Sequence, residues 1–130
     1  MRENLKKHGA FSWFELMADD VEGAKSFYTQ LFGWELENYP MDMGEYWVIK
    51  VDNEEVGGIM KKPPEAAGAP PYWATYVTVD DVDKVAEDAK RLGANLLVPP
   101  MDIPKVGRFC VIMDPQGAVI SAIKYVPEED

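Results

Sequence analysis

Hydrophobic and polar positions along the chain fall into two periods, and the same succession of periods occurs twice. Phe11 to Met17 alternates, with Phe14 and Leu16 on one side and Trp13 and Glu15 on the other, which predicts a half-buried strand. The period then lengthens: Val21, Ala24, Tyr28 and Leu31 share one helical stripe, with Phe27 and Phe32 at its edges. Asp19 is expected to cap this helix, with Glu22 at its third position, and Gly33 to end it. Trp73 to Gly93 restates the unit. Val82, Val85, Ala89 and Leu92 reproduce the four stripe positions 61 residues later, in a helix expected to be one residue shorter.

The repetition continues beyond the helices. Trp34 to Tyr39 and Asn95 to Val98 read as second strands, and Pro40-Met41-Asp42 returns letter for letter as Pro100-Met101-Asp102, in segments read as connections. Gly44 to Ile49 and Gly107 to Ile112 read as third strands, Val56 to Met60 and Ala118 to Tyr125 as last strands. The turns between them are Asp52-Asn53-Glu54 and Asp114-Pro115-Gln116-Gly117. Each half is therefore β-α-β-β-β. Residues 11–60 form module one and 72–126 module two of a single domain, 61–71 (KKPPEAAGAPP) is a proline-rich linker, and 1–10 and 127–130 are a mobile tail and a frayed end. One helix cannot cover both faces of its strands. The pattern predicts an α+β fold in which the two tandem βαβββ modules pair, helices outward, and their curved mixed sheets form a cup.

Composition narrows the partners. A net charge of −10 over 130 residues argues against nucleic acid and anionic membrane surfaces, which require a basic patch. The single cysteine, Cys110, allows no internal disulfide and reads as an inert core thiol in an apolar strand. No apolar run approaches spanning length, and the expected location is cytoplasmic.

With FYTQLFGWE after the first strand and DPQGA before the last, the doubled pattern resembles the vicinal oxygen chelate superfamily. That group includes glyoxalase I, bleomycin-resistance proteins and extradiol dioxygenases, and the resemblance covers Phe11 to Tyr125. It implies homodimers, for which open sheet edges give a physical reason, and in metal-dependent members a divalent ion held by the first and last strands of each half. Carried onto this sequence, those positions are Trp13, Ile59, Ala74 and Ser121, which offer one hydroxyl among them. Transition metals need imidazole, carboxylate or thiolate. The single histidine, His8, precedes the first strand and is read as a solvated tail residue. The expectation is no metal and no cofactor, with a register shift of one or two residues, bringing in Glu15, as the way it fails.

The cup is then the candidate site. Its expected lining is Trp13, Trp47 and Tyr76, with Trp73 a further candidate and with Glu15, Thr78, Arg108 and Ser121 supplying polarity; the facing of Trp47 and Arg108 is not fixed by pattern. Ordinary core packing competes for each aromatic. Glu15 is either a general base or the partner of Arg108 in a structural ion pair. Met41 and Met101 flank the cup mouth or fill the core. Two functions follow: a metal-free binder of a small neutral or cationic organic molecule, as in bleomycin-resistance proteins, or a glyoxalase-type lyase or isomerase using Glu15 as general base with a relocated metal or none.

Overall fold

A computed structural model of the chain describes residues 3–41, 44–66 and 68–127. Module one runs β1 (Phe11–Ala18), α1 (Val21–Phe32), β2 (Glu35–Met41), β3 (Gly44–Val51) and β4 (Glu54–Lys61). Module two runs β5 (Tyr72–Thr78), α2 (Val82–Arg91), β6 (Asn95–Ile103), β7 (Gly107–Met113) and β8 (Val119–Tyr125). The architecture is thus α+β with tandem βαβββ modules, as the pattern predicts. By packing, the chain forms two compact units, residues 13–74 and residues 1–12 with 75–130.

In module one the strand order is β2-β3-β4-β1, antiparallel except for the parallel β1–β4 pair. The α1 side of these strands buries Leu16, Ala18, Ile49 and Ile59, with Val21, Ala24 and Tyr28 of the helix packed onto them. Leu16, Ile49 and Ile59 each contribute about 1.5–3 kcal/mol on leaving water. Module two repeats the arrangement as β5-β8-β7-β6, with β5 parallel to β8. Val79, Val82, Ala86, Cys110, Ile112 and Ala122 form its core.

Several boundaries depart from the pattern. Asp20, not Asp19, caps α1, accepting the Gly23 N–H at 3.0 Å from an extended backbone. Asp19 instead pairs with Lys62 at 2.8 Å. Gly33 closes α1 in the left-handed conformation that a side chain resists. α2 is capped by Asp81 and ends with Leu92 as C-cap, making it 10 residues against 12 in α1. The repeated Pro-Met-Asp segment is strand rather than connection: Pro40 and Met41 continue β2 opposite Glu45 and Gly44, and Pro100 to Asp102 continue β6. Asp42 lies outside the described residues. Asp52 and Asn53, with φ of 49° and 65°, turn the β3–β4 hairpin in the conformation that suits two-residue loops.

The amino-terminal segment is held rather than loose. Thr78 takes three bonds from it: Oγ1 donates to the Leu5 carbonyl at 2.6 Å, its N–H donates to Ala10, and its carbonyl accepts from Gly9. His8 Nδ1 accepts the Asp80 N–H at 3.0 Å. A β-strand terminus offers backbone groups that composition does not reveal. Residues 1–2 of the expected tail, Ala67 of the linker and 128–130 of the expected frayed end lie outside the described residues. Among the described residues no helix is long and apolar enough to cross a membrane.

Candidate functional site

The first module's face opposite α1 carries a carboxylate and three aromatic side chains. Strand alternation sends Trp13 and Glu15 of β1 to that face while Leu16 and Ala18 go to the helix. Glu15 is buried, 7% exposed. Tyr46 of β3 reaches across: its hydroxyl donates to Glu15 Oε2 at 2.6 Å and accepts the indole N–H of Trp13 at 2.8 Å. One phenol thus orients an indole and a carboxylate together, and the bond to the carboxylate is of the short, charge-assisted kind.

What lets the phenol arrive is a missing side chain. β1 and β4 pair with Glu15 opposite Gly58, and Val48 pairs with Gly58 from the other side. A methyl group on Gly58 would overlap the Tyr46 ring, with Cε1 2.6 Å away and Cζ and the hydroxyl oxygen closer still. Tyr72 joins the same electrostatic neighbourhood. Its phenol is pushed above its ordinary value by burial and by the negative charge of Glu15, and drawn down less strongly by Lys62. Tyr46, Gly58 and Tyr72 were not singled out by sequence. The adjacent glycines Gly57-Gly58 inside a strand were the available signal, since such a pair marks a close approach.

In module two the corresponding face holds Tyr76 and Ser121, cross-strand partners of the parallel β5–β8 pair, both buried. Thr78 is buried there and spends its hydroxyl on Leu5. Ser12 and Tyr125 share a hydroxyl–hydroxyl bond of 2.8 Å.

Trp47 and Arg108 lie on the helix sides. Trp47 packs with the α1 core, under the Lys25 ammonium 3.3 Å from its ring centroid. Arg108 is gripped by Asp83 of α2, at 3.0 Å and 2.9 Å, and by Asp102 at 3.1 Å. The expected Glu15–Arg108 pair is therefore replaced by an ion pair inside module two, because Arg108 occupies the β7 parity that faces α2. These bonds hold the Asp83 carboxyl below its usual value and the guanidinium further above its own. Cys110 is fully buried and its thiol is pushed up by burial.

Ile59 also requires correction. It pairs with Leu16 and belongs to the α1 core with no exposure, on the opposite face from Trp13. β3 has 8 residues and β7 has 7, so counting forward from Asp52 as from Asp114 lands one residue late, and one residue reverses the face. The counterpart of Ser121, which pairs with Val111, is Gly58, which pairs with Val48. The first-strand and last-strand positions are thus Trp13 and Gly58 in module one and Ala74 and Ser121 in module two. One hydroxyl, one indole and no carboxylate, imidazole or thiolate do not fit a divalent transition metal. Among the described residues no three His, Cys, Asp or Glu side chains gather as a metal-holding group.

Two clefts lie apart from Glu15. One of about 440 Å³ at the start of α1 is lined by Asp19, Asp20, Glu22, Glu45, Met60 and Lys61 among others, but Asp20 serves as the cap and Asp19 pairs with Lys62. The other, about 350 Å³ in module two, lies between Ile103, Lys105, Arg108, Lys124 and Tyr125. In the Glu15 cluster polar groups converge on one phenol, which neither cleft shows.

The sequence model of the Glyoxalase/Bleomycin resistance protein/Dioxygenase superfamily matches residues 10–121. The chain is 38% identical over 126 residues to the putative glyoxylase CFP32 of Mycobacterium tuberculosis, covering 96% of this chain and 48% of that protein. It is 29% identical over 127 residues to the anthracycline biosynthesis protein DnrV of Streptomyces peucetius, covering 87% and 46%. The chain spans about half the length of these curated relatives. Among solved structures it is similar to methylmalonyl-CoA epimerase from Mycobacterium tuberculosis, with a TM-score of 0.67 at 15% identity over 98% of this chain and 93% of that one, a likeness of fold.

Proposed function

From the premise that this chain belongs to the Glyoxalase/Bleomycin resistance protein/Dioxygenase superfamily, we propose that it binds a small neutral or cationic organic molecule on the Trp13–Glu15–Tyr46 face of its first module. In this proposal it acts without the divalent ion of metal-dependent members. The observation that carries the proposal is the bond from Tyr46 to the buried Glu15 carboxylate, with Trp13 bonded to the same phenol. Burying a carboxylate is costly unless it is hydrogen-bonded, and a carboxylate beside aromatic faces attracts a positive or hydrogen-bond-donating ligand and repels an anion. The net charge of −10 adds long-range steering of the same sign. The donor set at the first-strand and last-strand positions supports the metal-free part. A relative named for anthracycline biosynthesis is consistent with a small organic ligand.

The test is to identify by mass spectrometry the compound that co-purifies with the protein, then titrate it against wild type and Glu15→Gln. Weaker binding by the variant, with an unchanged circular-dichroism spectrum, supports the proposal. An anionic compound bound equally by both forms sinks it. Glu15 at the centre of the cluster also favours a second function, a glyoxalase-type lyase or isomerase with this carboxylate as base. Turnover lost in Glu15→Gln with affinity retained would move the assignment there.

A further inference from the structure

Lys62, the first residue after β4, carries its ammonium on a side chain that is only 6% exposed. The other ion-paired lysines among the described residues, Lys6, Lys25, Lys50 and Lys84, are between 18% and 69% exposed. Taking an ammonium out of water is costly unless oxygen atoms replace the hydration shell. Two do so here. Asp19 Oδ1 stands 2.8 Å from Nζ, and the Ala69 carbonyl accepts a hydrogen from the same nitrogen. The backbone N–H of Lys62 donates to the Ala18 carbonyl at 2.9 Å. One residue thus fastens Ala69 to the corner where β1 passes into α1.

Between Ala69 and Tyr72 stand only Pro70 and Pro71. Each proline fixes its own φ and restricts the residue before it, so little conformational freedom separates the fastened carbonyl from the tyrosine. Trp73 then sets the facing. Its ring stands edge-on to Tyr28 and Trp34, at 5.4 Å and 6.2 Å, on the α1 side. Alternation along β5 turns Tyr72 to the opposite side, where Trp13 and Glu15 lie. The electrostatics agree, since Glu15 and Lys62 both act on the Tyr72 phenol. On that face Tyr46 gives its hydroxyl hydrogen to Glu15 and Trp13 gives its indole hydrogen to Tyr46. Tyr72 brings a hydrogen that those two bonds do not use. Building on the binding proposed for this face, we propose that Lys62 is its positioning residue, holding the Tyr72 hydroxyl where it donates to an acceptor atom of the bound molecule while Glu15 receives that molecule's positive or donating group. The bound molecule then carries an acceptor oxygen or nitrogen beside its donor or cation.

The first test needs no ligand. With tyrosine isotope-labelled at Cζ, the Tyr72 signal is assigned by its absence from Tyr72→Phe, and its phenol is titrated by NMR in wild type, Lys62→Met and Lys62→Arg. In wild type the phenol titrates above the ordinary value of about 10, raised by burial and by Glu15. Lys62→Met is expected to bring it back toward that ordinary value, because a Tyr72 no longer held beside Glu15 returns to water. Lys62→Arg, which keeps the charge and the donors, is expected to stay near wild type. Were Lys62 only a neighbouring charge, its removal would push the phenol higher still; a higher or unchanged value in Lys62→Met overturns the proposal. Should Lys62→Met not fold, Asp19→Ala cuts the fastening at its exposed end and leaves the ammonium in place. It is expected to lower the Tyr72 value, and no change there overturns the proposal too. The second test titrates the compound identified by mass spectrometry in the purified protein against Tyr72→Phe. Its dissociation constant is expected to rise roughly two- to twelvefold, the worth of one neutral hydrogen bond. Unchanged affinity in Tyr72→Phe, with Glu15→Gln weakened, overturns the role of Tyr72 and leaves binding at Glu15 standing. Unchanged affinity in both variants sinks the binding itself.

Discussion

Replacing Gly58 with alanine tests whether the Tyr46 phenol is what holds the Glu15 face together. Gly58 has no positive φ, so alanine costs nothing in backbone conformation and, by narrowing the unfolded chain, would stabilise the strand by about 0.4–1 kcal/mol elsewhere. Here the new methyl would overlap the Tyr46 ring, which must swing away. Two bonds are lost in doing so: the charge-assisted one to Glu15, worth about 1.5–3 kcal/mol, and the one from Trp13, worth about 0.5–1.5 kcal/mol. The balance is a destabilisation of about 1–4 kcal/mol. The assay is urea unfolding, comparing midpoints at equal slope, in a double-mutant cycle with Tyr46→Ala. Without the ring there is nothing to displace, so Gly58→Ala should be neutral or mildly stabilising in the Tyr46→Ala background. An equal cost in both backgrounds refutes the reasoning, as does a cost under about 0.5 kcal/mol in wild type, the usual size of an inconsequential surface change.

Other outcomes follow from the remaining sites. Asp83 has its folded pKa lowered by Arg108, so its contribution to stability is present above the unfolded carboxyl pKa of about 3.9 and is lost as pH falls through the lower folded value. Arg108→Met should therefore lose less stability than wild type between about pH 6 and pH 3 in urea melts, and equal losses count against the pair. Cys110, buried with its thiol pushed up, should react with an aromatic disulfide reagent at least ~100-fold more slowly in the native protein than in urea, and similar rates would contradict its burial. Elemental analysis should find well under about 0.5 transition metal per chain, and EDTA should leave the melting temperature unchanged; zinc, nickel, iron or manganese near one per chain would overturn the metal-free proposal.

Much of this was legible before any coordinates. A succession of periods 2, 3.6 and 2 again, occurring twice, identified two modules, and the phase of the first strand separated Leu16 from Glu15 correctly because alternation is a local property of the backbone. The same locality limited the assignment of the site. Asp19 and Asp20 are chemically equivalent candidates for the cap, and only the extended backbone at Asp20 distinguishes them. Thr78 read as a lining residue because nothing in its neighbours shows that Leu5, 73 residues earlier, takes its hydroxyl.

The sequence by itself determined that the chain is duplicated, the order of strands and helix in each half, and that a carboxylate sits among aromatic residues on one strand face. Tertiary structure decided what that carboxylate meets. Tyr46 rather than Trp47 reaches Glu15 because β3 pairs with β4 in a register that puts Gly58 beneath the ring, and Arg108 turns to α2 because its parity in β7 points there. Strand register is a long-range choice, fixed by pairing between segments far apart in sequence, and a shift of one residue exchanges the two faces.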